Sequence, residues 1–153
     1  MIFVTLGSQK FQFDRLLQAV DILQTDEEIF AQIGYSEYKP KHFKYKRFLD
    51  RDEFDKIMDS SNIVITHGGT GAIIGAVKKG KKVIAVPRLK KYGEHVDDHQ
   101  IQLVNQFSEL NLIYPCIDCD IQKALDTVKR TTYTSYKSNT ARIIRSLEEF
   151  INE

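Results

Sequence analysis

This chain has almost no net charge, only two cysteines and no long apolar run, and each shortage closes off a class of function. Its 22 basic residues offset 21 acidic ones, leaving +1 over 153 residues. No overall field is available to hold a polyanion, so nucleic acid is not an expected partner. No stretch approaches the ~18 consecutive apolar residues of a membrane span. The start, Met1-Ile2-Phe3-Val4-Thr5-Leu6-Gly7, runs directly into a strand pattern without the basic flank and apolar core of a signal peptide, and the expected location is the cytoplasm. Cys116 and Cys119 form one C-x-x-C with no second pair and no nearby histidine, too few ligands for a structural zinc ion. They read as two reduced thiols near a turn. The alternative is a redox pair at a strand-to-helix junction after Leu112-Ile113-Tyr114-Pro115. Internal repeats, low-complexity tracts and linkers are also missing, so residues 1–153, 42% hydrophobic and 28% charged, read as one well-buried domain.

What is present is alternation. Residues 2–6 read as a strand, and Phe13, Leu16, Leu17, Val20 and Leu23 mark a helix over 13–23 by their spacing. Strands are expected at 28–33 and 43–48, separated by a polar loop containing Pro40, and an acidic helix at 50–60. Further strands are expected at 62–66, 83–87 and 112–114, and further helices after His67-Gly68-Gly69, at 96–110, 121–130 and 138–151. Unbroken alternation argues for an α/β domain, a Rossmann-like three-layer arrangement with a parallel sheet and helices on both faces. Such sheets bind ligands beyond the carboxyl ends of their strands. The loop Gly7-Ser8-Gln9 and the loop from His67 to Ala72 are therefore expected to meet at one crevice.

The second of these loops carries the strongest local signal. A buried-strand run, Asn62-Ile63-Val64-Ile65-Thr66, empties into His67-Gly68-Gly69-Thr70-Gly71 and then a helix, whose first N–H groups lack intrahelical partners. The amides of Thr70, Gly71 and Ala72 are placed to point at a diphosphate, with the helix dipole favouring charge on the leaving group. Gly7 and Ser8 are candidates for the other side of the phosphates, although Ser8 also suits a helix cap.

The motif Ile65-Thr66-His67-Gly68-Gly69-Thr70-Gly71, followed by Val83-Ile84-Ala85-Val86-Pro87-Arg88 and by Lys91-Tyr92-Gly93-Glu94-His95-Val96-Asp97-Asp98-His99-Gln100, resembles the donor-binding C-terminal half of GT-B glycosyltransferases, of the family 28 type. More narrowly it is similar to the small donor-binding subunit of two-component bacterial polysaccharide glycosyltransferases, capsular β-1,4-galactosyltransferases among them. A eukaryotic two-subunit N-acetylglucosaminyltransferase has a related subunit. Met1 to Ser8, Phe13 to Leu17 and Gln32 to Ser36 match as well, so the resemblance covers nearly the whole chain.

The resemblance implies an inverting transferase subunit with a UDP-sugar donor, galactose being the first choice, and a lipid-diphosphate-linked acceptor in capsule or exopolysaccharide synthesis. It implies a membrane-associated, acceptor-binding partner subunit at the inner face of the membrane, little activity without it, and no cofactor or obligatory metal. It places His67 beside the diphosphate, with Gly68, Gly69, Thr70, Gly71 and Ala72. Asp98 and Gln100 are the candidates for sugar hydroxyls, since a carboxylate accepts and an amide both donates and accepts. Glu94 joins the donor set, Arg88 and Lys91 are candidates for phosphate or the partner's surface, and Asp97 is expected to cap the following helix. The catalytic base is expected on the partner, with His95 the weaker candidate here. A different reading is a non-catalytic nucleotide-sugar-binding subunit that stabilises or regulates a partner transferase.

Three other features complete the reading. Many GT-B donor domains carry a ribose-binding acidic residue two turns into the phosphate-loop helix, and here that position is Gly75. Either another residue holds the ribose or the helix packs closely there. Asp50-Arg51-Asp52 and Asp118-Cys119-Asp120 have the D-x-D form of a metal site, but both sit where helices begin and read as caps. Lys78, Lys79, Lys81, Lys82, Arg88, Lys90 and Lys91 make one basic stretch, expected to be solvated or to face anionic lipid or a partner. Partner contact is expected on the last helix and on the segment from Phe43 to Phe48.

Overall fold

A computed structural model describes residues 1–136, 141 and 145. Six strands form one sheet: β1 (Ile2–Thr5), β2 (Ile29–Gln32), β3 (Lys44–Lys46), β4 (Ile63–His67), β5 (Lys82–Val86) and β6 (Tyr114–Pro115). Their order is β3-β2-β1-β4-β5-β6 and every pairing is parallel. The helices delimited among the described residues are α1 (Asp14–Asp21), α2 (Arg51–Ser60), α3 (Thr70–Lys78), α4 (His99–Glu109) and α5 (Ile121–Lys129). The α/β expectation holds, and the strand order reverses between β1 and β4, which are direct neighbours. Ligands of such sheets bind at that reversal.

Alternation along the strands sorts the core into two layers. In β1, Ile2 and Val4 join Leu16, Leu17, Val20, Leu125 and Val128 under α1 and α5. Phe3 points the other way and meets Met58, Ile73, Val77, Val104 and Phe107 under α2, α3 and α4. All four residues of β1 and all five of β4 are buried, as central strands covered on both faces require.

The boundaries differ from expectation in instructive places. Helix α4 begins at His99, not Val96, because Gly93 turns the chain with a φ of 68° and the Asp98 carboxylate accepts the Lys90 amide at 2.9 Å. These bonds favour turns over a helical start. Strand β6 sits at Tyr114–Pro115, two residues later than its apolar run, since Leu112 and Ile113 are each only 2% exposed and serve the core under α4. The expected helix at 138–151 lies outside the described residues.

Helix α1 stops at Asp21, short of Leu23, and Asp21 is put to other use. Its buried carboxylate accepts the Tyr38 hydroxyl and the amides of Lys41 and His42, pinning the loop that leads into β3. Burial alone would raise this carboxyl, but those hydrogen bonds outweigh it and hold its pKa below the usual range. A carboxyl depressed in the fold stabilises above its unfolded pKa and loses that contribution as pH falls through the folded value. Asp21→Asn is expected to cost about 1–3 kcal/mol at neutral pH and to flatten the acid limb of stability; chemical denaturation from pH 7 down to pH 3 checks it.

Candidate functional site: a glycine-lined crevice around His67

At the carboxyl edge of the sheet, His67 ends β4 with only 6% of its surface exposed. The ring lies between Gly7 and Gly69, and a Cβ at either position would collide with it. Gly68 is likewise required by Gln100 and Val104, whose side chains fill the space a Cβ would take. These glycines therefore make room for protein side chains as well as for any ligand. Gly7 has the further requirement of a φ of 74°, a conformation that costs other residues energy.

Hydrogen bonds fix the protonation of this ring. Gln100 Oε1 accepts the amides of Gly68 at 3.0 Å and of Arg88 at 2.9 Å, which leaves its Nε2 to donate toward His67 Nδ1 at 3.3 Å. Arg88 Nε also donates to Nδ1, at 3.4 Å. With donors on Nδ1 the neutral ring must carry its proton on Nε2, the side that lies between the two glycines. Burial first, then the charges of Arg88 and His95, push the His67 pKa down to about 3. His67 is a neutral N–H donor at physiological pH.

Arg88 is buried to 1% exposure. Its fork donates to the carbonyls of Leu6, Phe11 and Glu94, with the guanidinium 4.9 Å from the centre of the Phe13 ring. Burial lowers its pKa to about 10, Glu94 opposing the shift, so it stays charged. The expectation of a surface arginine facing phosphate or partner is corrected: every nitrogen of this group is committed to the protein. Glu94 is committed too. Its carboxylate takes Arg15 Nε at 3.0 Å and Nη2 at 2.9 Å, and also the Leu89 amide.

The start of α3 contrasts with this saturation. Helices α2 and α5 are capped by the side chains of Asp50 and Asp120, which accounts for the acidic residue at one end of each D-x-D triplet. Helix α3 has Gly69 at its cap position and no side-chain cap. Gly71 is exposed and a Cβ there would meet nothing within 4 Å, so the first turn of the helix is uncovered on that side.

The family model described as "Glycosyltransferase family 28 C-terminal domain" matches residues 1–153. The chain belongs to this family. The human UDP-N-acetylglucosamine transferase subunit ALG13 is 28% identical to it over 128 residues, 75% of this chain and 11% of that protein. The Saccharomyces cerevisiae subunit of the same name is 33% identical over 60 residues, 39% of this chain and 28% of that protein. The chain thus spans about a tenth of the human relative and about a quarter of the yeast one. Two solved structures share the fold: the calicheamicin glycosyltransferase CalG4, with a TM-score of 0.58 at 17% identity, 98% of this chain and 38% of that one, and the glycotransferase of kitacinnamycin, with a TM-score of 0.59 at 13% identity, 99% of this chain and 39% of that one. The fold is the C-terminal half of a GT-B transferase, as expected. The relatives that emerge are named for N-acetylglucosamine transfer, whereas the motif resemblance pointed first to bacterial capsular galactosyltransferases.

Within this family 28 domain the remaining sequence candidates fall into two groups. Ser8 is exposed beside the crevice, and Asp98 lies exposed at its rim while accepting the Lys90 amide. Asp97 precedes the cap position of α4, which Asp98 occupies without a side-chain cap, and its carboxylate accepts the His99 amide at 3.0 Å. Gly75 is exposed and a Cβ there would meet nothing within 4 Å, so close helix packing does not explain the missing carboxylate. The basic stretch does not form one patch, because β5 runs through it. Lys79 pairs with Asp59 at 2.8 Å and Lys82 donates to the carbonyls that end α5 at one end of the strand, while Arg88 is buried at the other. Burial raises the Cys116 thiol to about 12 and also raises Cys119. Such thiols are poor nucleophiles, and the pair reads as structural.

Sequence reasoning missed Arg15, Gln9 and the keystone role of Arg88. Their partners lie tens of residues away, and no local pattern announces them.

Proposed function

We propose that this protein is the donor-binding half of an inverting, two-component glycosyltransferase that takes a UDP-sugar. The observation that carries this reading is the uncapped, open amino end of α3 beside the Nε2–H of His67, at the strand-order reversal. The amides of Thr70, Gly71 and Ala72 and the helix dipole receive the diphosphate, and the neutral His67 donates to a phosphate oxygen without adding charge. Gly7 and Ser8 line the opposite side. Gln100, Arg88 and Glu94 hold the loops in register, which leaves Asp98 to meet the sugar hydroxyls. Binding requires no metal in this scheme.

The acceptor's nucleophile and its base come from a second, membrane-associated subunit that closes over the crevice, and this half has little activity alone. Exposed Phe11, Tyr35, Phe48, Tyr92 and Val96 in the loops at the carboxyl edge support such a cover, since apolar rims of this kind mark interaction surfaces. Phe43 and Tyr45, by contrast, pack against the core. The resemblance favours galactose in β-1,4 linkage onto a lipid-diphosphate-linked acceptor for capsule or exopolysaccharide, at the cytoplasmic face. The relatives' names carry UDP-N-acetylglucosamine, and these are the two donors to rank.

Calorimetric titration of UDP, UDP-galactose, UDP-N-acetylglucosamine and UDP-glucuronic acid in EDTA tests the site. His67→Ala is expected to weaken binding by roughly tenfold or more, the value of one hydrogen bond to a charged group. Binding unchanged in that variant, or seen only with added metal, counts against it.

A further inference from the structure

The loop between β5 and α4 ends at Asp98, the carboxylate left to meet the donor sugar, and one residue of α1 grips that loop at three points. Helix α1 packs on one face of the sheet and α4 on the other, so the grip joins the two layers at the carboxyl edge. Arg15 Nη2 donates to the Pro87 carbonyl at 3.2 Å, where the loop begins. Its guanidinium lies 4.9 Å from the centre of the Tyr92 ring, in the short turn Lys90–Tyr92. Nε and Nη2 meet the two oxygens of Glu94 at 3.0 Å and 2.9 Å. A two-pronged pair of this kind fixes orientation as well as distance. The Arg15 side chain is 23% exposed and that of Glu94 3%, so solvent screens the pair only in part.

This grip is relayed to Asp98 through the main chain. Glu94 Oε1 also accepts the Leu89 amide at 3.0 Å, and the Glu94 amide donates to the Leu89 carbonyl at 3.2 Å. The two residues close the turn between them, with Gly93 at a φ of 68° and its amide on the Lys90 carbonyl. The next amide after Leu89, that of Lys90, donates to Asp98 Oδ1 at 2.9 Å. Asp98 is exposed, and among the described residues its other oxygen, Oδ2, meets no donor. One oxygen of the carboxylate is anchored and the other is presented. The anchor is only as fixed as the turn that Glu94 closes, and recognition of a hydroxyl needs placement within about 0.5 Å.

We propose that Arg15 is a positioning residue for the donor sugar: through Glu94 and the turn at 89–93 it aims the Asp98 carboxylate, touching neither sugar nor diphosphate itself. This rests on the donor-site reading above, in which Asp98 meets the sugar hydroxyls. Removal of the Arg15 fork loosens Glu94, the turn and Asp98 in sequence. It leaves the start of α3 in place, and His67 with its partners Gln100 and Arg88. Those groups receive the diphosphate of UDP and of a UDP-sugar alike, so the loss falls on the sugar.

The test is calorimetric titration of the whole chain with UDP, UDP-galactose and UDP-N-acetylglucosamine at one pH, read as the affinity for each nucleotide sugar relative to UDP. Asp98→Asn is expected to lower that ratio roughly tenfold for the sugar the wild type prefers, the value of one hydrogen bond to a charged group. Arg15→Gln is expected to lower it by a comparable factor. The double variant should lower it no further than Asp98→Asn alone, since both changes break one line of contacts. Thermal unfolding establishes that each variant is folded. Where Arg15→Gln is not, Arg15→Lys carries the same comparison, because it keeps the charge and loses the fork. A ratio unchanged in the folded Arg15 variant, with UDP and the sugar nucleotides weakened together, makes Arg15 a structural tie alone. Factors that multiply in the double variant mean that Arg15 does not act through Asp98. Either result overturns the proposal and leaves the donor site standing. A ratio unchanged in Asp98→Asn removes the sugar contact and the proposal with it, and failure of the wild type to bind any of the three nucleotides overturns the donor site as well.

Discussion

Arg88→Met is expected to lower stability by about 3–5 kcal/mol and to abolish donor binding, although Arg88 touches no solvent-facing part of the crevice. The substitution keeps much of the apolar stem and removes the fork. The buried carbonyls of Leu6 and Glu94 and the partly buried carbonyl of Phe11 then lose their donor. An unsatisfied buried group costs about 1–3 kcal/mol, and deletion of one member of a buried charged network falls at the upper end. Against a total stability of about 5–15 kcal/mol this is a large fraction. Arg88→Lys should rescue little, because an ammonium cannot span three acceptors with a planar fork. Chemical denaturation checks the stability, and UDP titration of whatever fraction stays folded checks the site. A loss under about 1 kcal/mol would mean that the loops are held in other ways and that Arg88 is not their keystone.

That role was illegible in the sequence for a physical reason. Arg88 follows a strand and a lysine-rich stretch, a context in which most basic residues are solvated. Its acceptors come from residues 6, 11 and 94, and only the parallel sheet brings those loops together. The strand-glycine-helix unit around His67 was legible because its signals are local: a buried run, glycines and a helix start within ten residues. Even there, the local pattern does not show what the glycines accommodate: the immediate occupants of the missing Cβ positions are His67, Gln100 and Val104. Gln100 shows the same limit. A glutamine at a helix start reads as a free hydrogen-bonding side chain, but its oxygen is taken by two amides 32 and 12 residues away. Local chemistry thus located the crevice, and long-range hydrogen bonding decided which polar groups remain free in it.

The packing of His67 makes the second large prediction, which separates two reasons for needing glycine. Gly69 has an ordinary extended backbone, with φ −81° and ψ 137°, so an alanine there suffers only the collision with the imidazole. Gly7 suffers the same collision and also a φ of 74°. Overpacking costs about 1–3 kcal/mol, and the left-handed backbone adds about 1 kcal/mol. Gly69→Ala is therefore expected to destabilise by about 1–3 kcal/mol and Gly7→Ala by about 2–4 kcal/mol. In a His67→Ala background the collision disappears. Gly69→Ala should then become nearly neutral, while Gly7→Ala should keep its backbone cost of about 1 kcal/mol. Double-mutant cycles by chemical denaturation measure the coupling directly. Additive costs at Gly69 would mean that the imidazole is not what excludes a Cβ there.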